Sequence, residues 1–435
     1  MEFSRFNIVS RIKDSGDYFI LNALYGSADI MDENDYRRLM EAGADDAEFA
    51  ARGYLVDPEI ENRQFRESYL NFLDERERDE IQLFFVPGYN CNFDCSYCYQ
   101  DDYNIEERRI KPSVVDAFFR YIDTNFAHRQ KYVTLFGGEP LLPGEVHKTN
   151  TANFISAAAK RGIEIAVVTN GYHLVDYFDI LNRGGIREIQ VTLDGTREVH
   201  DMRRRLKNGK GSFDRITEGI GLLLRNDIPV NLRVVVDRDN MSNLPELAEF
   251  AIKKGWTASH LFSTQIGRNY ELHKCQENSK RLYSRIEMYS ELYKMIKEYP
   301  PILEFHKPSF SVSRSLHETG KLPAALFDAC PGTKTEWAFD YTGKIYACTA
   351  TVGKEGEELG NFFPESFLDN EKVDRWSERD VLSIKQCRDC SLSLLCGGGC
   401  AALAKNESGS IYSPDCRPVR ELLGMGISAY FCDHE

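Results

Sequence analysis

The chain has 435 residues, 42% hydrophobic and 28% charged, with a formal net charge of −14. That is the composition of an ordered globular protein with core enough for two or three domains, and its acidity argues against duplex nucleic-acid binding, which needs a basic surface facing the phosphates. Charges scattered through residues 1–19 leave no signal-peptide stretch, and no apolar run reaches membrane-spanning length, so the chain reads as soluble and cytoplasmic with no membrane partner.

Residues 7–11 and 18–24 read as short strands about an Asp14-Ser15-Gly16-Asp17 turn. Helices follow at 32–42 and 45–52, then a strand at 54–56 and a charged connecting helix at 61–78. Short strands followed by helices suit a small winged-helix-like α+β unit over 1–80; a plain extension packed on the main domain fits the same pattern. From residue 81 the pattern becomes α/β. Apolar strand candidates at 81–86, 132–135, 164–169, 188–193, 229–236 and 259–262 alternate with helical runs at 112–125, 151–161, 174–183, 212–225 and 244–254. Strands lacking a polar side imply a parallel sheet covered by helices. Six such strands predict a partial (β/α)6 barrel over 81–290, with ligands at the C-terminal strand ends. Residues 282–299 and 313–327 read as helices, and the stretch 291–327 bridges to a last region, 328–435. There periodicity fades and cysteines replace a large apolar core, as in a metal-stapled module.

Nine of the twelve cysteines fall in two groups, Cys91/Cys95/Cys98 and Cys387/Cys390/Cys396/Cys400/Cys416 with nearby Cys432. Cys330 and Cys348 precede the second group, and Cys275 stands alone. A reducing cytosol and such uneven spacing favour metal ligation over disulfides. Cys91-x3-Cys95-x2-Cys98 follows the first barrel strand. Three thiolates at these spacings can converge on one 4Fe–4S cluster and leave one iron open to a non-protein ligand. Zinc, or three unrelated thiols, satisfies the spacing as well.

The second barrel strand ends in Gly137-Gly138-Glu139-Pro140. Its glycines admit close backbone approach, its proline rigidifies the turn, and its carbonyls and Glu139 can accept hydrogen bonds from a ligand ammonium. Thr169-Asn170-Gly171 closes the third strand, and Thr192 to Asp194-Gly195 closes the fourth. His200-Asp201, Arg203 and Arg204 follow, and Arg233 lies in the fifth strand. One of these arginines can hold a ligand carboxylate; Asp194 and His200 also suit capping roles.

Cys91 to Cys98, Gly137 to Pro140, and Thr192-Leu193-Asp194-Gly195 leading to His200-Asp201-Met202-Arg203-Arg204 together resemble the radical S-adenosylmethionine (SAM) superfamily. The resemblance covers most of 81–435. It implies that Cys91, Cys95 and Cys98 hold the catalytic cluster, whose open iron binds SAM. One electron from an external donor such as flavodoxin or ferredoxin then cleaves SAM to a hydrogen-abstracting radical. Tyr97 would lie near adenine, and Gly137, Gly138, Glu139 and Pro140 would meet the methionine amine. Asn170, Thr192, Asp194 and Arg204 would complete the cofactor contacts.

The tail resembles the SPASM domain, which holds auxiliary 4Fe–4S clusters in enzymes that modify peptides. That pattern implies one cluster on Cys387, Cys390, Cys396 and Cys416, with Gly397, Gly398 and Gly399 curling around inorganic sulfide. A second would rest on Cys330, Cys348 and Cys400, its fourth ligand Cys432, Cys275 or an open position. Members of this build often act on ribosomally made precursor peptides, which implies a leader-bearing peptide partner for the N-terminal unit. The expected reaction is an intramolecular cross-link, first a cysteine thioether. Alternatives are a carbon–carbon link, formylglycine formation as in anaerobic sulfatase maturation, and a non-catalytic peptide adaptor. Sulfatase maturases usually carry an aspartate after the cysteine corresponding to Cys348; here Thr349 stands there.

Overall fold

The computed structural model describes residues 1–41, 46–98, 110–268 and 280–432. Six strands form its centre: Ile81–Val86, Lys131–Leu135, Ile165–Thr169, Ile186–Thr192, Val230–Val236 and Phe262–Arg268. They lie side by side in chain order, every pairing parallel. Helices Pro112–Asn125, Glu145–Ala159, Leu174–Leu181, Phe213–Arg225 and Leu244–Lys253 make the crossovers. Leu83, Phe85, Val133, Val167, Val191 and Val234 are wholly buried beneath them. All six C-terminal strand ends therefore share one edge, the place where a parallel α/β sheet presents its ligand loops.

The barrel is partial because the free edge of the first strand is taken. Glu336–Asp340 pairs with it in parallel, and Lys344–Tyr346, Glu358–Asn361 and Phe367–Leu368 continue antiparallel, giving one sheet of ten strands. The region in which periodicity was expected to fade thus extends the barrel sheet. Its strands are two to five residues long, too short for a two-residue alternation to show. The hairpin from Glu336–Asp340 into Lys344–Tyr346 returns the chain to the N-terminal edge of the sheet, opposite the ligand loops.

Three expected elements move. The sixth strand is Phe262–Arg268, beginning where 259–262 was expected to end. Its sequence, Phe-Ser-Thr-Gln-Ile-Gly-Arg, is half-exposed along its length and carries no apolar run. The helix expected at 151–161 starts at Glu145, just past Gly144 at φ 105°. The helix expected at 313–327 stops at Thr319, where Gly320 takes the left-handed conformation that ends helices.

The N-terminal unit is α+β, with a third strand not expected from its sequence. Asn7–Arg11, Tyr18–Asn22 and Ser27–Met31 form an antiparallel sheet, followed by helices Glu33–Glu41, Ala47–Ala51 and Pro58–Arg78. Phe6, Ile8, Phe19 and Leu21 share a core with Phe327, Leu394, Leu423 and Ile427 of the cysteine-rich tail. Phe65, Tyr69 and Phe72 surround the Phe327 ring at 5.2, 5.2 and 5.5 Å. Among the described residues, no helix is long and apolar enough to cross a membrane. Phe327→Ala should cost about 3–5 kcal/mol by leaving a cavity under three rings; urea unfolding monitored by tyrosine fluorescence should register the loss.

Candidate functional site

The loop bearing Cys91, Cys95 and Cys98 leaves the first barrel strand and is held from two sides. On one, Phe93–Cys95 pairs antiparallel with Arg204–Leu206, setting Cys95 opposite Arg204, Asp94 opposite Arg205 and Phe93 opposite Leu206. The Ser96 amide donates to the Arg203 carbonyl at 3.0 Å, and the Lys207 amide to the Asn92 carbonyl at 3.0 Å. On the other side, the amides of Gly138 and Glu139 donate to the carbonyls of Gly88 and Asn90 at 3.1 and 2.9 Å. The two glycines make this second contact possible. A Cβ on Gly138 would stand 2.2 Å from the Asn90 oxygen, and Gly137 sits at φ 138° with the Gly88 oxygen 2.7 Å from its missing Cβ. What the glycine pair approaches is therefore the cysteine loop itself.

Glu139 is buried and its oxygens are engaged within the protein. Oε1 accepts from the Leu141 amide and the Thr169 hydroxyl at 2.8 and 2.7 Å; Oε2 accepts from the Asn170 amide at 2.7 Å. Burial raises its pKa against the pull of these three donors. The carboxylate thereby locks the second strand end to the third. Asn170, so placed, reaches back to the cysteine loop, with Nδ2 2.8 Å from Asn92 Oδ1 and 3.8 Å from Cys91 Sγ. Pro140 is buried beside Glu139, and Thr192 is buried at the end of the fourth strand.

Tyr97 is the meeting point of three arginines. The guanidinium carbons of Arg203, Arg204 and Arg281 lie 5.2, 5.9 and 6.0 Å from its ring centroid. Its hydroxyl donates to Asp194 Oδ2 at 2.5 Å and accepts from Arg204 at 2.6 Å. Asp194 Oδ1 accepts the Val235 amide at 3.0 Å. Arg203 is committed elsewhere: it forms a two-pronged pair with fully buried Asp237 at 2.8 and 3.0 Å. Arg281 reaches the same Asp237 at 2.7 Å and the Ser96 hydroxyl at 3.0 Å. His200 is buried and neutral in role, its Nδ1 accepting the Asp194 amide at 3.1 Å and its Nε2 facing Ser212 Oγ at 3.0 Å; burial drives its pKa well down. Asp237 and Arg281 were not singled out from the sequence. The strand-end position of Asp237, directly after Val236, was the available signal; Arg281 had none.

The residues around the three thiols fit a thiolate-ligated iron–sulfur group. Besides the thiols, three buried donors beside the loop have no hydrogen-bond partner in the protein, Asn92 Nδ2, Arg203 Nε and Arg204 Nε. Buried donors are rarely left unpaired, and these lie beside a group that would be anionic once its thiolates are ligated. Burial pushes the Cys91 thiol up to about 11, with Glu139 adding to the rise. It pushes Cys95 up to about 12 against the opposing pull of Arg204.

The tail cysteines fall into two sets. Burial lifts the Cys387 thiol to about 11, and neighbouring Cys396, Cys390 and Cys416 add to it. Burial also lifts Cys348, with Glu336, Cys330 and Cys400 as its neighbours. Cys432 packs with Cys387 and Cys396 in the core shared with the N-terminal unit, whereas Cys330 and Cys348 belong to the barrel core. Cys275 lies outside the described residues. No three His, Cys, Asp or Glu among the described residues converge on a single-ion site. Gly397, Gly398 and Gly399 all take left-handed φ of 58°, 74° and 70°. The last two lie against a guanidinium: wholly buried Arg379 donates to the carbonyls of Gly398, Gly399, Ser413 and Ile411. A lone arginine outside any motif gave no sequence signal.

Residues 85–251 match the profile of the Radical SAM superfamily. A Radical SAM superfamily domain is therefore present in the chain, and it includes the three-thiol loop. The chain is 26% identical over 178 residues to a cysteine-type anaerobic sulfatase-maturating enzyme of Clostridium novyi (strain NT), covering 38% of this chain and 46% of that protein. It is 24% identical over 378 residues to a serine-type anaerobic sulfatase-maturating enzyme of Bacteroides thetaiotaomicron, covering 79% of this chain and 86% of that one. The match thus spans less than half of the first relative and most of the second. Among solved structures, native anSMEcpe with bound AdoMet and Cp18Cys peptide matches 81% of this chain and 97% of its own, with TM-score 0.62 and 16% identity. Streptococcus suis SuiB bound to precursor peptide SuiA matches 95% of this chain and 98% of its own, with TM-score 0.54 and 16% identity. These likenesses establish a shared fold that in the second case runs from the N-terminal unit through the cysteine-rich tail.

Gly138→Ala should force the cysteine loop off its hydrogen bonds; after anaerobic reconstitution the variant should hold clearly less iron per chain than wild type while keeping its circular dichroism spectrum. Arg379→Met strips the donor from four buried carbonyls and should destabilise the tail by about 2–3 kcal/mol, read as a lower thermal midpoint.

Proposed function

We propose that this radical SAM enzyme modifies a side chain of a peptide substrate by hydrogen abstraction. The observation that carries the reading is the three-thiol loop, clamped between two backbone contacts beside Arg204 and Asn92, whose buried donors lack partners within the protein. Cys91, Cys95 and Cys98 would hold a 4Fe–4S group, which supplies one electron for the reductive cleavage of SAM. The chain's own residues then have defined tasks. Arg204 presents an unpaired Nε for a carboxylate, and Asp194 and Tyr97 fix that guanidinium in place. Asn170 and Thr192 line the adjoining strand ends, and Glu139, with Gly137, Gly138 and Pro140, holds the loop against them. The barrel's part is positional: it keeps one substrate bond beside the cofactor and excludes other hydrogen donors.

Peptide as substrate is supported by the neighbours of this fold, three of which carry bound peptides, and by a likeness to SuiB that includes the N-terminal unit. The cysteine thioether ranked first from the sequence has no particular support beyond it. Formylglycine formation is favoured by the sulfatase-maturating relatives and stands ahead of the thioether. The auxiliary iron–sulfur groups would rest on the two tail sets of cysteines, and a flavodoxin or ferredoxin would deliver the electron.

The test is anaerobic reconstitution with dithionite and SAM. Wild type should release deoxyadenosine and Cys95→Ala should not; release by both would remove the three-thiol loop from the chemistry. Mass spectrometry of a sulfatase-type cysteine peptide and of a leader-bearing precursor then separates the reactions. Cross-linking removes two hydrogens, whereas cysteine-to-formylglycine conversion also replaces sulfur with oxygen. An enzyme that altered neither peptide while cleaving SAM would contradict the proposed substrate class.

A further inference from the structure

The ribbon Arg204–Leu206 that clamps the cysteine loop has a second face. Residues 203–210 read Arg-Arg-Arg-Leu-Lys-Asn-Gly-Lys, five cations in eight positions of a chain whose net charge is −14. Arg203 and Arg204 turn inward and are buried. Arg205, Lys207 and Lys210 turn outward and are exposed. Arg205 pairs with Asp94 of the cysteine loop at 2.9 Å. Lys207 and Lys210 form no ion pair among the described residues. Among the described acids nearby, Asp201 accepts the amides of Ser212 and Phe213, Asp214 pairs with Arg197, and Glu198 lies one turn before Met202 on the helix that precedes the ribbon.

The patch is held firmly and includes an apolar component. Leu206 donates to the Lys210 carbonyl at 3.0 Å and Gly209 to the Leu206 carbonyl at 2.8 Å, closing a tight Asn208-Gly209 turn with Gly209 at φ 80°. Met202, immediately before the run, is 68% exposed. The patch also lies directly over the thiol-bearing loop. The Lys207 amide is bonded to the carbonyl of Asn92, the neighbour of Cys91, and Arg204 faces Cys95 across the ribbon.

We propose that Met202, Arg205, Lys207 and Lys210 form the docking surface for a small acidic electron-carrier protein. The proposal rests on the one-electron chemistry read above. The reduced carrier would bind here and leave oxidised by one electron, which the iron–sulfur group that Cys91, Cys95 and Cys98 would hold would accept, with no proton or atom exchanged. Charge decides the occupant: in a chain of net charge −14, the exposed Lys207 and Lys210, unpaired among the described residues, attract an acidic carrier to the face that carries the cysteine loop, so long-range steering favours this side. Electron-transfer encounters bury less than about 1,200 Å², so a short ribbon with one exposed methionine is large enough.

The test compares two reductants on the cluster-loaded enzyme, a reduced flavodoxin and dithionite, for wild type, Lys207→Glu/Lys210→Glu and Met202→Glu. Deoxyadenosine formation driven by flavodoxin should fall about tenfold or more in the double variant at low salt, while the dithionite-driven rate stays within twofold of wild type. Calorimetric titration with oxidised flavodoxin, which involves no turnover, should show weaker binding by the same order, and added salt should weaken wild-type binding far more than that of the variant. Equal flavodoxin-driven rates in wild type and variants would overturn the docking surface. So would an equal loss with both reductants, which would mean that the ribbon shapes the cysteine loop. Weakened peptide binding with unchanged flavodoxin binding would assign the patch to the substrate and overturn it too. Absence of deoxyadenosine from wild type with dithionite would instead remove the radical SAM reading itself.

Discussion

Backbone hydrogen bonds hold the loop of Cys91, Cys95 and Cys98 between Arg204–Leu206 on one side and Gly137–Glu139 on the other, and the rest of the site is arranged around that grip. Backbone pairing is well suited to the task because it does not depend on the protonation or ligation state of the thiols. The side chains that complete the site are fixed in turn by the same two neighbours. Glu139 locks the third strand end, which delivers Asn170 to the loop, and the ribbon delivers Arg204 to Cys95. A six-strand parallel sheet is the platform that brings these loops to one edge.

Electrostatics near the loop balance closely within a small buried volume. Arg203, Arg204 and Arg281 gather about the Tyr97 ring, while Asp194 and Asp237 supply the compensating charge. Asp237 is wholly buried and binds two guanidinium groups, so neither arginine is a buried charge without a partner. Arg204 is only partly satisfied: its Nε, like that of Arg203, has no hydrogen-bond partner within the protein.

The parallel sheet was legible because its inner strands are buried on both faces and read as continuous apolar runs; Ile81–Val86 and Val230–Val236 fall where expected, within a residue. The motifs at Cys91–Cys98 and Gly137–Pro140 were legible because they are contiguous in sequence. What was hidden depends on partners far apart in the chain. Phe262–Arg268 lacks an apolar face, and Glu336–Asp340 earns its place only by pairing with a strand some 250 residues earlier. Arg379 and Arg281 act through backbone carbonyls, a serine and a distant aspartate, which no local pattern records. Two of the three tail glycines, Gly398 and Gly399, also hold a guanidinium that the sequence places some twenty residues away.

The parallel pairing of Glu336–Asp340 with Ile81–Val86 also acts as a ruler. The cysteine loop leaves the C-terminal end of the first strand, whereas Cys330 and Cys348 flank the opposite end of its neighbour. Two cysteine sites are thereby separated by one strand length, roughly 17–20 Å, and the spacing is set by ladder hydrogen bonds rather than by the packing of two movable bodies. A one-residue slip in that ladder would shift the spacing and turn every side chain of the strand to the wrong face at once, so the interval between the sites is conserved by the same forces that keep the barrel folded.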